Sequence, residues 1–260
     1  MKTPEHPVAL TIAGSDSGGE AGLQADLRTF TSLTVHGTCA ITCITAQNRK
    51  TVARLEPCSP RMVRAQLEAV AAAFPLAAAK TGMLFSAAIV REVAAFFEQA
   101  RSVPLVVDPV IISTSGRRLL QTDGVAALQR QLLPLAVLMT PNIAEAEVLI
   151  GKKIATLEEM RAAARIIRQK FGCAALVKGG HLLGTREAVD FLCSAKGEWM
   201  LSAPRANVKG LHGTGCTYSA AITAWLAHGR SLEQAVKLAK GYITRTILAQ
   251  ERPCKSTRPD

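Results

Sequence analysis

The segment VALTIAGSDSGGEAG, residues 8–22, decides how the rest of the sequence is interpreted. Its apolar first part, Val8–Ala13, predicts a buried strand, and the glycine-rich turn after it leads into a segment of helical spacing. Glycines at a strand-to-helix turn free backbone amides to face a ligand. Their spacing matches neither GxGxxG nor the P-loop, which argues against a dinucleotide-binding oxidoreductase. A glycine-rich turn that binds nothing is the less favoured alternative for this segment taken alone.

The same alternation continues along the chain, where short runs rich in Val, Ile and Leu separate longer segments of helical period. This pattern is typical of a parallel sheet covered by helices on both faces, and we expect an α/β fold. The strand candidates are Val8–Ala13, Cys39–Thr45, Ala77–Thr81, Pro104–Val107, Ala136–Thr140, Ala174–Val177 and Val189–Cys193.

Three helix starts carry capping signals, namely Ser59 before Pro60, Thr156 with Glu159, and Ser231 with Gln234. No internal repeat, low-complexity tract or linker interrupts the pattern. We therefore expect a single domain over residues 1–251, followed by a short C-terminal tail, 252–260.

Composition narrows the class of protein. The chain has 260 residues, 48% hydrophobic and 20% charged, which is enough to bury a large core. Its apolar runs are shorter than the ~20 residues that a membrane span needs, and its first residues lack a signal-peptide pattern. Seven cysteines are scattered without a CxxC pair, which argues against disulfides and zinc. We expect a cytoplasmic protein with no membrane association and reduced thiols.

The net charge of +11 fits either a nucleic-acid surface or attraction for small molecules that carry phosphate. Adjacent basic residues occur at most in pairs, and aromatic residues make up only 4% of the chain, which argues against nucleic acid as a partner. A basic nucleic-acid-binding or regulatory protein remains the alternative from a different class.

Near the C-terminal end, Gly213, Thr214, Gly215 and Cys216 precede a helix of small residues. Free amides and the positive end of the helix dipole converge at such a start, which predicts an anion hole for a phosphate. Cys216 would lie in the first turn, where the pKa of a thiol falls from ~8.5 toward neutrality, and it is a candidate base. For the other six cysteines we expect inert packing.

Other polar residues follow predicted strands. Asp108 ends one, Asn142 and Glu145 stand three residues apart after another, and Lys178 ends a third. Ligands of open α/β sheets bind at the carboxyl ends of strands, so we expect these side chains to share a crevice. Carboxylates suit Mg²⁺ and a lysine suits phosphate. Glu145 by itself fits an exposed helix face better, and only the predicted anion hole nearby favours placing it in the crevice.

Seven motifs together carry a resemblance that covers the chain from Val8 to about Leu248. They are Gly14-Ser15-Asp16, Gln24-Ala25-Asp26-Leu27, Thr45-Ala46-Gln47-Asn48, Val107-Asp108-Pro109-Val110, Thr140-Pro141-Asn142 with Glu145-Ala146-Glu147, Val177-Lys178-Gly179-Gly180-His181, and His212-Gly213-Thr214-Gly215-Cys216-Thr217. In order and spacing they resemble the hydroxymethylpyrimidine/phosphomethylpyrimidine kinases of thiamine biosynthesis, a branch of the ribokinase-like superfamily. The resemblance implies a three-layer sandwich, with a central, mostly parallel sheet between helical layers.

The resemblance also implies roles for individual residues. Asp26 and Gln47 would contact the aminopyrimidine, with the Gly14 turn close by. Residues at the other strand exits would serve the nucleotide, with Asp108 and Glu145 at Mg²⁺ and with Asn142, Glu145 and Lys178 at the ATP phosphates. The catalytic transfer centre would be formed by Gly213, Thr214, Gly215 and Cys216.

The expected activity is ATP- and Mg²⁺-dependent phosphorylation of hydroxymethylpyrimidine and of its monophosphate, and the expected assembly is a homodimer. Pyridoxal kinase activity is the alternative, although an amide at Gln47 suits the edge of an aminopyrimidine, since it both donates and accepts. Two departures from the family pattern, Glu20 and Arg49-Lys50, bear on loop mobility and on tolerance of a phosphorylated substrate.

Overall fold

A computed structural model describes residues 5–48, 51–112, 116–180, 187–205 and 212–251. The strands in these ranges are β1 (Val8–Asp16), β2 (His36–Gln47), β3 (Val52–Pro57), β4 (Leu76–Thr81), β5 (Leu105–Val107), β6 (Leu138–Met139), β7 (Ala174–Lys178), β8 (Glu187–Ser194) and β9 (Gly197–Pro204). They form a nine-stranded sheet in the order β3-β2-β1-β4-β5-β6-β7-β8-β9. The six strands from β2 to β7 in this order are parallel, and β3, β8 and β9 pair antiparallel at the two edges.

All seven predicted strands are present, with shifted ends. The strands β3 and β9 were not predicted, because their side chains are all exposed or only partly buried and their longest apolar run is three residues, Trp199–Leu201. Both lie at the edges of the sheet, where one side of the strand faces solvent and polar residues are tolerated.

The helices are α1 (Gly22–Ser32), α2 (Pro60–Ala73), α3 (Ala87–Gln99), α4 (Thr122–Ala127), α5 (Ile143–Ile150), α6 (Leu157–Phe171), α7 (Thr214–Ala227) and α8 (Leu232–Glu251). A π-helical turn, Leu128–Leu132, and a 3-10 turn, Leu133–Leu135, extend α4. The three expected caps are present: the Ser59 hydroxyl accepts the Met62 amide, and reciprocal bonds join Thr156 to Glu159 and Ser231 to Gln234. None of the described helices combines the length and the apolar character that a membrane span requires.

Alternation along the central strands explains why helices cover both faces. On β5, Val106 packs with α7 and α8, whereas its neighbour Val107 packs on the opposite side with α2, α3 and α6. Leu138 and Met139 on β6 divide in the same way. Successive side chains of a strand point to opposite faces, so a strand that is apolar throughout needs a cover on each side. The helices α1, α7 and α8 form one layer, and α2 to α6 form the other. The expected three-layer sandwich is confirmed.

Candidate active site

A pocket opens at the topological switch point of the sheet, where successive strands lie on opposite sides of β1. From β1 the order continues to β2 on one side and to β4 on the other, so the carboxyl ends of these strands diverge and leave a crevice. The residues around it come from four strand exits and two helix starts, and they include Gly14, Asp26, Gln47, Lys80, Met83 and Cys216. The structure therefore brings the predicted substrate residues into one pocket with Cys216, one of the four predicted transfer residues.

Two glycines allow α1 and α7 to begin over the end of β1. Gly22 has φ +54°, and a Cβ there would overlap the carbonyl oxygen of Gly14. Gly213 has φ +72°, and a Cβ there would overlap the carbonyl oxygen of Glu20. L side chains rarely adopt this backbone region, so both positions need glycine for two independent reasons.

The start of α7 presents free amides to the crevice. The Thr217 amide donates to the Gly213 carbonyl at 2.9 Å, which leaves the amides of Thr214, Gly215 and Cys216 outside the hydrogen-bond ladder of the helix. Among the described residues, no side chain caps this helix and no acidic residue stands in its first turn. The arrangement suits an anion, as the sequence predicts.

The glycine-rich loop before α1 is organised by Asp16, whose structural role the sequence analysis did not identify. Its carboxylate accepts the amides of Gly18, Glu20 and Ala21 at 2.8–3.1 Å. The Gln24 side chain accepts the Asp16 amide at 2.9 Å and so ties α1 to the end of β1. An aspartate that accepts amides two residues ahead is a common loop device, and this spacing was the available signal.

Beneath the pocket lies a buried ion pair that includes a residue the sequence analysis missed. Lys80 Nζ lies 2.8 Å from Asp26 Oδ2, and both side chains are 0% exposed. Burial lowers the pKa of Lys80, but the negative groups around it, with Asp26 first, together outweigh burial and the net shift is upward. The signal was a lysine inside the apolar strand β4, since a buried lysine needs a partner.

A second ion pair lies across the start of α7. Lys178 Nζ is 3.0 Å from Asp108 Oδ1, and Asp108 also accepts the hydroxyls of Thr140 and Ser219 at 3.1 and 3.2 Å. Burial raises the pKa of Asp108, but Lys178 and Lys80 outweigh it and the pKa is lowered. A Cβ on Gly215 would lie 3.3 Å from Lys178 Nζ, so this ammonium touches the first turn of α7.

Asn142 and Glu145 form a capping box at the start of α5. Their reciprocal bonds are 2.9 and 3.0 Å long, and the other Glu145 oxygen accepts the Ile111 amide at 3.2 Å. Glu145 is buried, not exposed on a helix face, and burial raises its pKa to about 7, a rise that Lys178 opposes and Asp108 reinforces. Glu145 thus joins the cluster around Lys178.

The prediction for the Cys216 thiol was wrong in direction. Burial raises its pKa to about 11; Lys80 opposes the rise, and Asp26 and Asp108 add to it. The helix start and a nearby lysine do not offset desolvation together with two carboxylates. In the free protein Cys216 is therefore a protonated thiol at neutral pH.

An outer pocket adjoins the first one and shares Asp16 and Gln47 with it, and its other lining residues are Gly18, Glu20, Asn48 and His212. The Gln47 backbone is fixed by Ser17, which donates to its carbonyl at 2.9 Å and accepts its amide at 2.8 Å. Glu20 thus stands at the entrance to the substrate residues. Arg49-Lys50 and His181 lie outside the described residues.

The side chains available as metal ligands determine how this site could bind Mg²⁺. Within the described parts of the chain, no group of three or more His, Cys, Asp or Glu side chains is arranged to hold a metal. Asp108 and Glu145 offer carboxylate oxygens, but each oxygen already accepts a hydrogen bond from the protein. This set fits a Mg²⁺ that keeps its waters and binds mainly through substrate phosphates.

The geometry agrees with comparisons to known proteins. The family model described as phosphomethylpyrimidine kinase matches residues 16–259. The chain belongs to this family. A hydroxymethylpyrimidine/phosphomethylpyrimidine kinase of Haemophilus influenzae is 46% identical over 92% of this chain and 90% of its own length. The enzyme of the same name from Synechococcus elongatus is 44% identical over 93% of this chain and 91% of its own.

Solved structures confirm the ribokinase-like fold. The phosphomethylpyrimidine kinase of Clostridium difficile superposes with a TM-score of 0.82 at 41% identity, covering 92% of this chain and 99% of that one. An ADP complex of Bacillus subtilis pyridoxal kinase gives 0.84 at 35% identity, covering 92% and 91%. The fold is thus common to kinases named for a pyrimidine and to kinases named for pyridoxal.

The protonated state of Cys216 predicts its reactivity. Because the thiolate is the nucleophile, alkylation of Cys216 by iodoacetamide should be slow near pH 7.5 and rise about tenfold per pH unit toward pH 10. Peptide mass spectrometry of time points gives the rate for this residue, and Cys216→Ser is the control for peptide assignment. A rate that levels off below about pH 8 would show a low thiol pKa and contradict the account.

Proposed function

We propose that this enzyme transfers the γ-phosphoryl group of ATP to the hydroxymethyl group of 4-amino-5-hydroxymethyl-2-methylpyrimidine, and then phosphorylates the monophosphate. The observation that carries the proposal is the position of the α7 start. Gly215 lies beside Lys178, and the next residue, Cys216, lines the pocket that contains Asp26 and Gln47. A ring in the pocket would therefore place its alcohol next to the anion hole.

The ring side of the site offers both kinds of hydrogen-bonding group. The Gln47 amide can donate and accept, and an ionised Asp26 accepts only. An aminopyrimidine edge presents an amine donor beside a ring-nitrogen acceptor, which this pair complements. Gly14, at the end of β1, brings backbone close to the ring.

The phosphate side supplies positive charge without a strong base. The amides of Thr214 and Gly215, the dipole of α7 and the Lys178 ammonium would neutralise the charge that develops on the transferred group. Asn142 and Glu145 are proposed to face the nucleotide. Phosphoryl transfer depends mostly on alignment and charge neutralisation, which these groups supply.

Mg²⁺ is proposed to accompany ATP. When bound, it would neutralise and orient the phosphates. Asp108 and Glu145 would accept hydrogen bonds from its bound waters. The ion pair with Lys178 would hold the Asp108 carboxylate in place. The homodimer and the cytoplasmic location expected from the sequence stay predictions.

Pyridoxal is the second candidate substrate, because a kinase named for it shares this fold at 35% identity. Its ring lacks the amine next to a ring nitrogen that Gln47 and Asp26 complement. We therefore expect pyridoxal to be the poorer acceptor.

Specificity is the first test. We expect kcat/KM for hydroxymethylpyrimidine to exceed that for pyridoxal by at least about tenfold, the scale of one hydrogen bond at the ring edge. Products are identified by mass after incubation with ATP, Mg²⁺ and each acceptor. Gln47→Ala should raise the KM for the pyrimidine and leave the KM for ATP little changed. Gln129→Ala, which removes an amide that contacts the Leu149 carbonyl, is the matched control. Equal or reversed specificity constants would overturn the assignment.

Cys216 gives the second test. If its thiolate is the base, kcat of the wild type should rise with pH, because the thiolate fraction grows below a pKa of about 11. Cys216→Ala should then lose this slope and about 10²-fold or more in kcat, and Cys216→Asp should recover part of it. Cys173→Ala controls for the loss of a buried thiol. A Cys216→Ala enzyme within tenfold of wild type, with the same pH profile, would assign the stabilisation to the amides of α7 instead.

A further inference from the structure

Lys80 is a fully buried lysine in the central strand β4, directly under the pocket. Its ammonium lies close to Gly82, where a Cβ would be 3.7 Å from Nζ, and it lines the pocket together with Asp26. Burying an ammonium is unfavourable unless a partner compensates for the lost hydration. A leucine or methionine would fill the same space without that penalty, so the charge itself requires an explanation.

The contacts of Asp26 supply one. Both of its donors meet the same oxygen: Oδ2 accepts Lys80 Nζ at 2.8 Å and the Thr11 hydroxyl at 2.6 Å. The other oxygen, Oδ1, is buried, and no donor among the described residues reaches it. An ionised carboxylate oxygen is an acceptor, so Asp26 brings an unmet acceptor to a pocket that it lines.

We propose that Lys80 is a positioning residue for the substrate ring: together with Thr11 it holds Oδ2 of Asp26, so that the carboxylate stays ionised and Oδ1 accepts an N–H from the ring. The ligand chemistry is an amine donor on an aromatic ring edge. The inference rests on the proposed function, because the 4-amino group of the pyrimidine is that donor.

Electrostatics support this geometry. Burial, with a smaller effect of Asp108, leaves the pKa of the Asp26 carboxyl raised, and the charge and hydrogen bond of Lys80, with the Thr11 hydroxyl, limit that rise. The titratable groups that face Asp26 are Lys80 on β4, Asp108 after β5 and Cys216 on α7. Without Lys80 the largest effect that lowers the pKa of Asp26 is lost, so the carboxyl would hold its proton more tightly and, once protonated, be a weaker acceptor for the ring amine.

The test measures binding, so it does not depend on turnover. Isothermal titration calorimetry gives Kd for hydroxymethylpyrimidine between about pH 7 and about pH 9.5, a range in which an ordinary carboxyl does not titrate. We expect a flat profile for the wild type. Lys80→Met should bind about tenfold more weakly at pH 7 and should tighten as pH rises, because Asp26 then ionises.

A ligand variant isolates the contact. The analogue that lacks the 4-amino group should bind the wild type about tenfold more weakly than the parent pyrimidine. For Lys80→Met at pH 7, the two ligands should bind within about twofold of each other. This coupling between one side chain and one ligand group would not arise from a general loss of packing.

Two further variants serve as control and safeguard. Lys240→Met removes another buried lysine, which pairs with Asp190 at 2.7 Å. Asp190 does not line the pocket, so the Kd of this variant for the pyrimidine should stay independent of pH. Thr11→Val removes the smaller donor with little change of shape. It should shift the profile in the same direction as Lys80→Met but less, and it gives the answer if Lys80→Met does not fold.

The outcomes separate the two claims. If the wild type binds the pyrimidine, and Lys80→Met and Thr11→Val bind it with Kd values that do not change with pH, the role of Lys80 is overturned and the proposed function stands. A wild type that binds pyridoxal but not the pyrimidine would overturn the proposed function and this inference with it.

Discussion

The site depends on the close approach of two helix starts to the end of one strand. Gly22 lets α1 begin against the Gly14 carbonyl, and Gly213 lets α7 begin against the Glu20 carbonyl. A side chain at either position would push a helix away from β1. Because α7 begins here, its free amides lie between the exits of β4 and β7, near the buried Lys80 and the partly buried Lys178. The glycines thus determine where the anion hole is and which charges surround it.

The charges form two separate pairs. Lys80 with Asp26 lies on the ring side, and Lys178 with Asp108 lies on the phosphate side. Pairing lets a buried and a partly buried ammonium stay charged, since burial lowers the pKa of each lysine but the surrounding carboxylates, the paired one first, together raise it more. The Cys216 thiol lies near both pairs and keeps its proton, because burial raises its pKa and the two carboxylates add to the rise. Consecutive residues of α7 contact the two sides, Gly215 at Lys178 and Cys216 at the pocket, so one helical turn connects acceptor and donor.

Local signals in the sequence predicted several segments that the structure brings together, and the family resemblance added Asp26 and Gln47. Three signals can be recognised without coordinates: a strand followed by a glycine-rich turn, a helix that starts with glycines, and polar residues at strand exits. The structure brings Gly14, Asp26, Gln47 and Cys216 to one pocket. The features that sequence reasoning missed depend on which residues surround a side chain in the folded protein. Lys80 reads as one charge in an apolar strand, and only its burial against Asp26 gives it a role. The Cys216 prediction weighed the helix start but not desolvation, which is the larger effect. The edge strands β3 and β9 have no apolar run longer than three residues, because part of each strand faces solvent.

The central claim is that one crevice has a ring side at the ends of β1 and β2 and a phosphate side at the start of α7. Backbone amide NMR on the whole chain tests it most directly, with the pyrimidine and a non-hydrolysable ATP analogue with Mg²⁺ added separately. The account predicts that the pyrimidine shifts the amides of Gly14 and Gln47 most. It predicts that the nucleotide shifts those of Thr214 and Gly215 downfield, as hydrogen bonds to phosphate form. A nucleotide that binds without moving the α7 amides, or a pyrimidine that leaves Gly14 and Gln47 unchanged, would contradict it.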